Sequence, residues 1–288
     1  MHGGRHDLLV TTKVGTEIFV DHDELRIGGS AGNTALALQG IGHPHRLVAS
    51  VGADAFGDFL EGAFSKDSAR LIRSEAATTV SVSVTHPDSE RTFLTTRGHL
   101  PLFRAEEAVA MLAEINIAEG WLLLSGAFQT ERLMEGYDGL IDYARARGAR
   151  IAIDPGWPPE GWTERTRAFT RRLLSRSDCV LVNETEAAHL TGEEDVERAG
   201  RAIHMLQPVG GIAIVKCGPR GVIGIDGTGA LHRAEAPKVK VADTIGAGDV
   251  FNAGYLAATC NGLPLSESLG QGVQLASTAI STNPRRYN

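Results

Sequence analysis

The sequence predicts an α/β fold: a doubly wound, mostly parallel sheet with a smaller β-sheet contributed by the first hundred residues. Three observations carry this. From residue 105 onward, amphipathic segments alternate with short β-branched or leucine-rich runs, the pattern of repeated βα units. Those runs lack strict apolar–polar alternation, as parallel strands covered on both faces do. Before that point several strand-like pieces follow one another with few helices.

In chain order, strands are predicted at 8–12, 17–20 and 24–27, a helix at 31–39, a strand at 46–51, and two more strands at 79–85 and 91–96. Pro87-Asp88-Ser89-Glu90 between the last two reads as a hairpin turn. The small sheet, from about 8–27 and 79–99, is expected to project from the main sheet as a lid. The main sheet takes strands at 121–124, 150–153, 179–182, 212–216 and 222–225, with helices at 130–147, 164–175 and 195–206 between them and a further helix-like run at 250–258. Ligands are then expected beyond the strand C-termini. No repeat, low-complexity tract or Pro/Gly-rich linker divides the 288 residues, which read as a single domain, 1–288.

A net charge of -7 and scattered basic residues argue against a nucleic-acid surface. Three widely spaced cysteines give neither a disulfide framework nor a metal-binding spacing. No apolar run approaches membrane-spanning length, so a cytoplasmic protein is expected. His43 and His45 flank Pro44 with no third ligand nearby, a poor metal site.

The stretch Asp243-Thr244-Ile245-Gly246-Ala247-Gly248-Asp249 runs directly into the helix-like segment that starts at Val250. Two glycines let backbone approach a ligand and place N–H groups at a helix start, where the dipole favours negative charge. Asp249 puts a proton-accepting carboxylate beside that anion cradle, which suggests phosphoryl transfer to a hydroxyl. A tight turn with Asp249 as a first-turn carboxylate is the plainer alternative. A second glycine segment, Gly28-Gly29-Ser30-Ala31-Gly32-Asn33, opens a helix, and Asn33 offers a donor and an acceptor suited to vicinal hydroxyls.

Together these segments resemble the paired signatures of the PfkB family of carbohydrate kinases, the ribokinase-like group. The intervening order agrees: Val51-Gly52-Ala53-Asp54-Ala55-Phe56-Gly57, then Asn183-Glu184-Thr185-Glu186, then Lys216-Cys217-Gly218-Pro219-Arg220-Gly221. The resemblance implies a Rossmann-like three-layer α/β/α sandwich with a β-sheet lid, and transfer of the ATP γ-phosphate to a hydroxymethyl group. By position it implies Asp249 as base, with the Gly246, Ala247 and Gly248 amides as anion hole. It places Gly28, Gly29, Asn33 and Asp7 on the sugar, and Asn183, Glu186, Lys216, Gly218 and Gly221 on the nucleotide side. Glu186 would serve Mg²⁺, through water if the ion keeps its shell, and Asp243 falls where relatives often hold a monovalent cation such as K⁺.

Asn183 and Glu186 also read as a local helix capping box, Lys216 as a solvated turn residue, and Asp7 as an exposed terminal carboxylate. Asp154-Pro155-Gly156 departs from the Asp-x-Asn of many relatives, and the tail after Thr282 is short. The lid residues Thr96, Arg97 and His99 are further candidates to face substrate. Arg26, Arg91 and Arg97 keep a phosphorylated acceptor open. Pairing of two lids into a homodimer is expected. The alternatives are a nucleoside kinase of the same fold and a non-catalytic sugar or nucleotide sensor. A dinucleotide oxidoreductase lacks its glycine fingerprint, and there is no Walker-type lysine loop.

Overall fold

The computed structural model describes residues 23–85 and 91–287. Its centre is a six-stranded sheet of β5 (Trp121–Ser125), β6 (Arg150–Asp154), β7 (Cys179–Asn183), β8 (Ile212–Lys216), β9 (Val222–Ile225) and β10 (Leu231–Ala234). The spatial order is β10-β9-β8-β7-β6-β5, parallel from β5 to β8 and antiparallel at β9 and β10. A parallel pair, β1 (Leu47–Gly52) with β2 (Ala69–Ser74), and an antiparallel hairpin, β3 (Ser81–Thr85) with β4 (Arg91–Thr95), form two further sheets.

The period-2 geometry of a strand explains how the sheet is covered on both faces. In β7, Val180 and Val182 pack with Leu190 of α7 (Glu184–Thr191) and Ile203 of α8 (Val196–His204). Cys179 and Leu181 point the other way, against Phe251 and Tyr255 of α9 (Ala247–Cys260) and Leu269 of α10 (Leu265–Ser281). Every β7 residue from Cys179 to Val182 is fully buried, which is why the run carries no polar alternation. The expected parallel strands sandwiched between helices are therefore present, within a residue or so of their predicted bounds.

Three local expectations differ. Residues 24–27 form no strand; the segment runs irregularly into α1 (Ser30–Gly40), and its Arg26 is drawn into ion pairs instead of a ladder. The helix at 130–147 is two helices, α4 (Glu131–Glu135) and α5 (Tyr137–Ala146), broken at Gly136, where a Cβ would sit 2.3 Å from the Ala105 Cβ. No prediction covers β2, α2 (Ala55–Gly62), α3 (Ala105–Leu112) or α10 either. The predicted strands at 8–12 and 17–20, Asp7 and the 87–90 turn lie outside the described residues.

Candidate active site

The C-terminal ends of β6, β7 and β8 deliver Asp154, Asn183 and Lys216 to one edge of the sheet. The start of α9 faces them. Gly246 precedes this helix with φ 71°, a left-handed conformation that a Cβ would strain, and it turns the chain so that Gly248 and Asp249 occupy the first turn. The Ala247 N–H is spent inside this turn, donating to the Thr244 carbonyl at 3.1 Å.

Asn33, in the first turn-and-a-half of α1, donates from Nδ2 to Asp249 Oδ2 at 2.8 Å, and the Thr34 hydroxyl donates to the Asp249 carbonyl at 3.1 Å. The two glycine segments, more than two hundred residues apart in sequence, therefore meet at a single carboxylate. Burial, and after it the negative charge of Asp154, pushes the Asp249 carboxyl up to about 7; hydrogen bonds from Asn33 and Ser30 and the charge of Lys216 oppose the rise. A carboxylate tuned to near neutrality suits a base working at physiological pH.

Behind Asp249 lies a buried polar cluster. Asp154 Oδ2 accepts from Lys216 Nζ at 2.8 Å and from Asn252 Nδ2 at 2.6 Å, and Lys216 Nζ also reaches Asn252 Oδ1 at 3.3 Å. Burial alone would lower the Lys216 pKa, but Asp154 and Glu186 outweigh it and hold the ammonium charged. A Cβ on Gly248 would lie 3.3 Å from Lys216 Nζ, so this cation sits against the anion cradle and is not a solvated turn residue. Asp154 and Asn252 were not among the predicted site residues. The available signals were a carboxylate ending a parallel strand and a polar residue three positions after Asp249 on the same face of an otherwise apolar helix.

Asn183 and Glu186 form the capping box anticipated as their local role: Asn183 Oδ1 accepts the Glu186 N–H at 2.8 Å, and Glu186 Oε2 accepts the Asn183 N–H at 2.9 Å. Glu186 is nonetheless buried, and that burial together with Asp154 lifts its carboxyl well above the usual range. Gly28 and Gly29 lie at the entrance to α1, where an added Cβ would meet nothing within 4 Å. Gly218 is similarly open, whereas a Cβ on Gly221 would sit 2.0 Å from the Ala234 carbonyl oxygen. The absence of a side chain at Gly221 thus lets its loop pack against the end of β10.

The Asp243 carboxylate is already engaged. Oδ1 accepts the Ile245 N–H at 3.0 Å, and Oδ2 pairs with Arg26 and, at 3.3 Å, with Arg285. Among the lid candidates, His99 is buried and accepts the Thr79 N–H on Nδ1 at 2.9 Å, Thr96 Oγ1 accepts the Val80 N–H, and Arg97 pairs with Glu131. These three secure the base of the hairpin. In the Val51 to Gly57 motif, Asp54 caps α2 and binds Thr78.

Comparison with known proteins gives the family. The chain is similar to the ribokinase of Haemophilus influenzae, 25% identical over 94% of this chain and 86% of the relative. It is also similar to the 1-phosphofructokinase of Rhodobacter capsulatus, 30% identical over 84% of this chain and 75% of the relative. A solved PfkB protein from Polaromonas sp. JS666 superposes with a TM-score of 0.76 at 23% identity, covering 93% and 91% of the two chains. With residues 10–284 matching the family model for pfkB family carbohydrate kinases, the chain belongs to that family of ATP-dependent enzymes that phosphorylate a sugar hydroxyl.

Proposed function

We propose that this enzyme transfers the γ-phosphoryl group of ATP to the hydroxymethyl group of an unphosphorylated sugar or sugar derivative, with Asp249 as the base. The observation that carries this reading is the Asn33–Asp249 hydrogen bond, which sets a hydroxyl-binding side chain on the carboxylate that must take a hydroxyl proton. In the step, the acceptor O–H gives its proton to Asp249 and the freed lone pair forms the new O–P bond. The bond from that phosphorus to the β–γ bridging oxygen breaks, and its electrons leave on ADP. Lys216 and the first-turn amides of α9 stabilise charge on the transferring group.

An unphosphorylated acceptor is favoured by the pairing of two of the three candidate arginines, Arg26 with Glu24 and Asp243 and Arg97 with Glu131; the Arg91 side chain lies outside the described structure. Gly28, Gly29 and Asn33 would line the sugar side, and Gly218 the nucleotide side. Asp154, Glu186 and Asp249 repel one another electrostatically, so a divalent cation fits the charge of this edge. Mg²⁺ bound with the nucleotide would neutralise phosphate charge there, with Glu186 acting through water. Two facts support the remaining expectations. All three cysteines are free, in keeping with a reducing cytoplasm. On the lid hairpin, Val82, Val84 and Leu94 share one exposed face, apolar surface that a second lid would cover in a homodimer.

The test is Mg²⁺-dependent ADP release across free sugars, sugar acids, polyols, sugar phosphates and nucleosides, with native enzyme and Asp249→Asn. Turnover with a free sugar that collapses in the variant is expected. Preference for a sugar phosphate or a nucleoside would overturn the acceptor assignment, and ATP binding without turnover on any acceptor would favour a sensor.

A further inference from the structure

The turn that leads into Gly246 is fastened from two distant parts of the chain. Arg285, in the short tail after α10, donates from Nη2 to the Ile245 carbonyl at 2.5 Å and to Asp243 Oδ2 at 3.3 Å. Its side chain is only 17% exposed, against 39% for Arg26, the second guanidinium on the same carboxylate oxygen. A Cβ on Gly246 would lie 2.9 Å from Asn33 Nδ2 and 3.4 Å from Arg285 Nη1, so the tail arginine stands within a few ångströms of the sugar-side asparagine and the anion cradle. The backbone N–H groups of Ala242 and Asp243 both donate to the Ile280 carbonyl, at 2.7 and 3.1 Å, tying the same turn to the end of α10.

A monovalent cation at Asp243 does not fit this arrangement. Such an ion needs several oxygen ligands, and here Asp243 Oδ2 and the neighbouring Ile245 carbonyl oxygen both accept from guanidinium groups. Two fixed positive charges would also repel it. A guanidinium presents several rigid donors in one plane and is always charged, so it can neutralise Asp243 and hold a backbone carbonyl together.

We propose that Arg285 is a built-in replacement for a bound monovalent cation: a positioning residue that fixes the Asp243–Gly246 turn, and through it the α9 anion cradle, without K⁺. This rests on the kinase reading above, and gives the segment after α10 a positioning role at the site.

The experiment compares K⁺, Na⁺ and tetramethylammonium chlorides at fixed ionic strength, for native enzyme, Arg285→Ala and Arg285→Lys. Three quantities are read: kcat and sugar KM, ATP affinity by calorimetry, and thermal unfolding of the ligand-free chain. Native values are expected to be the same within about twofold in all three salts. Losing hydrogen bonds from a charged donor converts to roughly tenfold to a hundredfold, so Arg285→Ala should lose that much in kcat with little change in sugar KM. It should regain activity with added guanidinium ion or K⁺, while Arg285→Lys retains an intermediate kcat.

Native turnover, or native ATP affinity, that rises severalfold in K⁺ over Na⁺ would overturn the proposal. So would an Arg285→Ala enzyme that matches the native one. Should no acceptor support turnover, the kinase reading fails by itself, and the brace is still decided: a native unfolding temperature indifferent to K⁺ beside an Arg285→Ala temperature raised by it supports the proposal, and the reverse sinks it.

Discussion

Asp54 and Asp249 are the same side chain at the start of a helix, and their environments push them in opposite directions. Asp54 caps α2 and accepts from the Thr78 hydroxyl at 2.6 Å, the Thr78 N–H at 2.7 Å and the Gly57 N–H at 2.9 Å. The Thr78 hydroxyl, followed by the Gly57 and Thr78 amides, lowers its carboxyl to about 2. Asp249 sits in a buried, negatively charged corner with Asn33 and Ser30 as its hydrogen-bonding partners, and its carboxyl rises to about 7. A carboxylate whose lone pairs are satisfied by fixed donors is a structural knot. One that is desolvated and under-supplied with donors keeps basicity for a substrate proton.

The largest effect that would break this contrast is chemical. Asp249→Asn should lower kcat by about 10²–10⁴-fold, measured as ADP release at pH 8, whereas Asp54→Asn should leave kcat of the folded enzyme near native. Equal losses in the two variants would show that the distinction between knot and base is wrong.

Next comes the cation behind the base. Lys216→Met strands the buried Asp154 carboxylate and should cost about 3–5 kcal/mol of stability in urea unfolding at pH 7. Adding Asp154→Leu should recover much of that loss while leaving activity low. A single variant as stable as the native chain would mean that the ion pair is not what organises this edge.

Asn33 sharpens the comparison further. Its removal in Asn33→Ala should cost roughly tenfold to a hundredfold in kcat/KM and shift the acidic limb of the pH profile upward, because the Asn33 bond lowers the Asp249 pKa. In the native enzyme, kcat/KM should fall about tenfold per unit below pH about 7 as Asp249 takes a proton. A limb that stays in place in the variant would separate Asn33 from the titrating group.

Stability against pH separates the two carboxylates as well. Asp54 has a folded pKa below its unfolded value near 3.8. Its contribution is present above about 4 and is lost as pH falls toward about 2. Asp249 has the opposite sign: its raised value means that ionisation penalises the folded state increasingly from about pH 4 to about pH 7 and constantly above. Melting temperatures should therefore show Asp249→Asn gaining on the native chain over that window, and Asp54→Asn flattening the acid limb.

Much of this was legible in the chain itself. The strands β5 to β8 are short apolar runs without polar alternation, bounded by turn residues, so their residue pattern alone places them in a covered parallel sheet. Asp249 and Asn33 stand beside glycines whose freedom has a purpose at a helix start, and the order of the motifs along the chain located both. What local pattern misjudged was decided by partners far away in sequence. Residues 24–27 look like a strand, yet they have no ladder partner among the described residues, and Arg26 turns to Asp243. The packing of Gly221 against the Ala234 carbonyl is likewise invisible in the local pattern.

The sequence by itself determined the α/β alternation and the layers, because these follow from periodicity and turn chemistry over short windows, and its glycine motifs singled out Asp249 and Asn33. Only the tertiary structure decided which charges meet. It brought Asp154, Lys216 and Asn252 together behind Asp249, and folded Arg285 back onto the Asp243 turn. Electrostatic energy depends on distance and burial, and neither can be read along the chain.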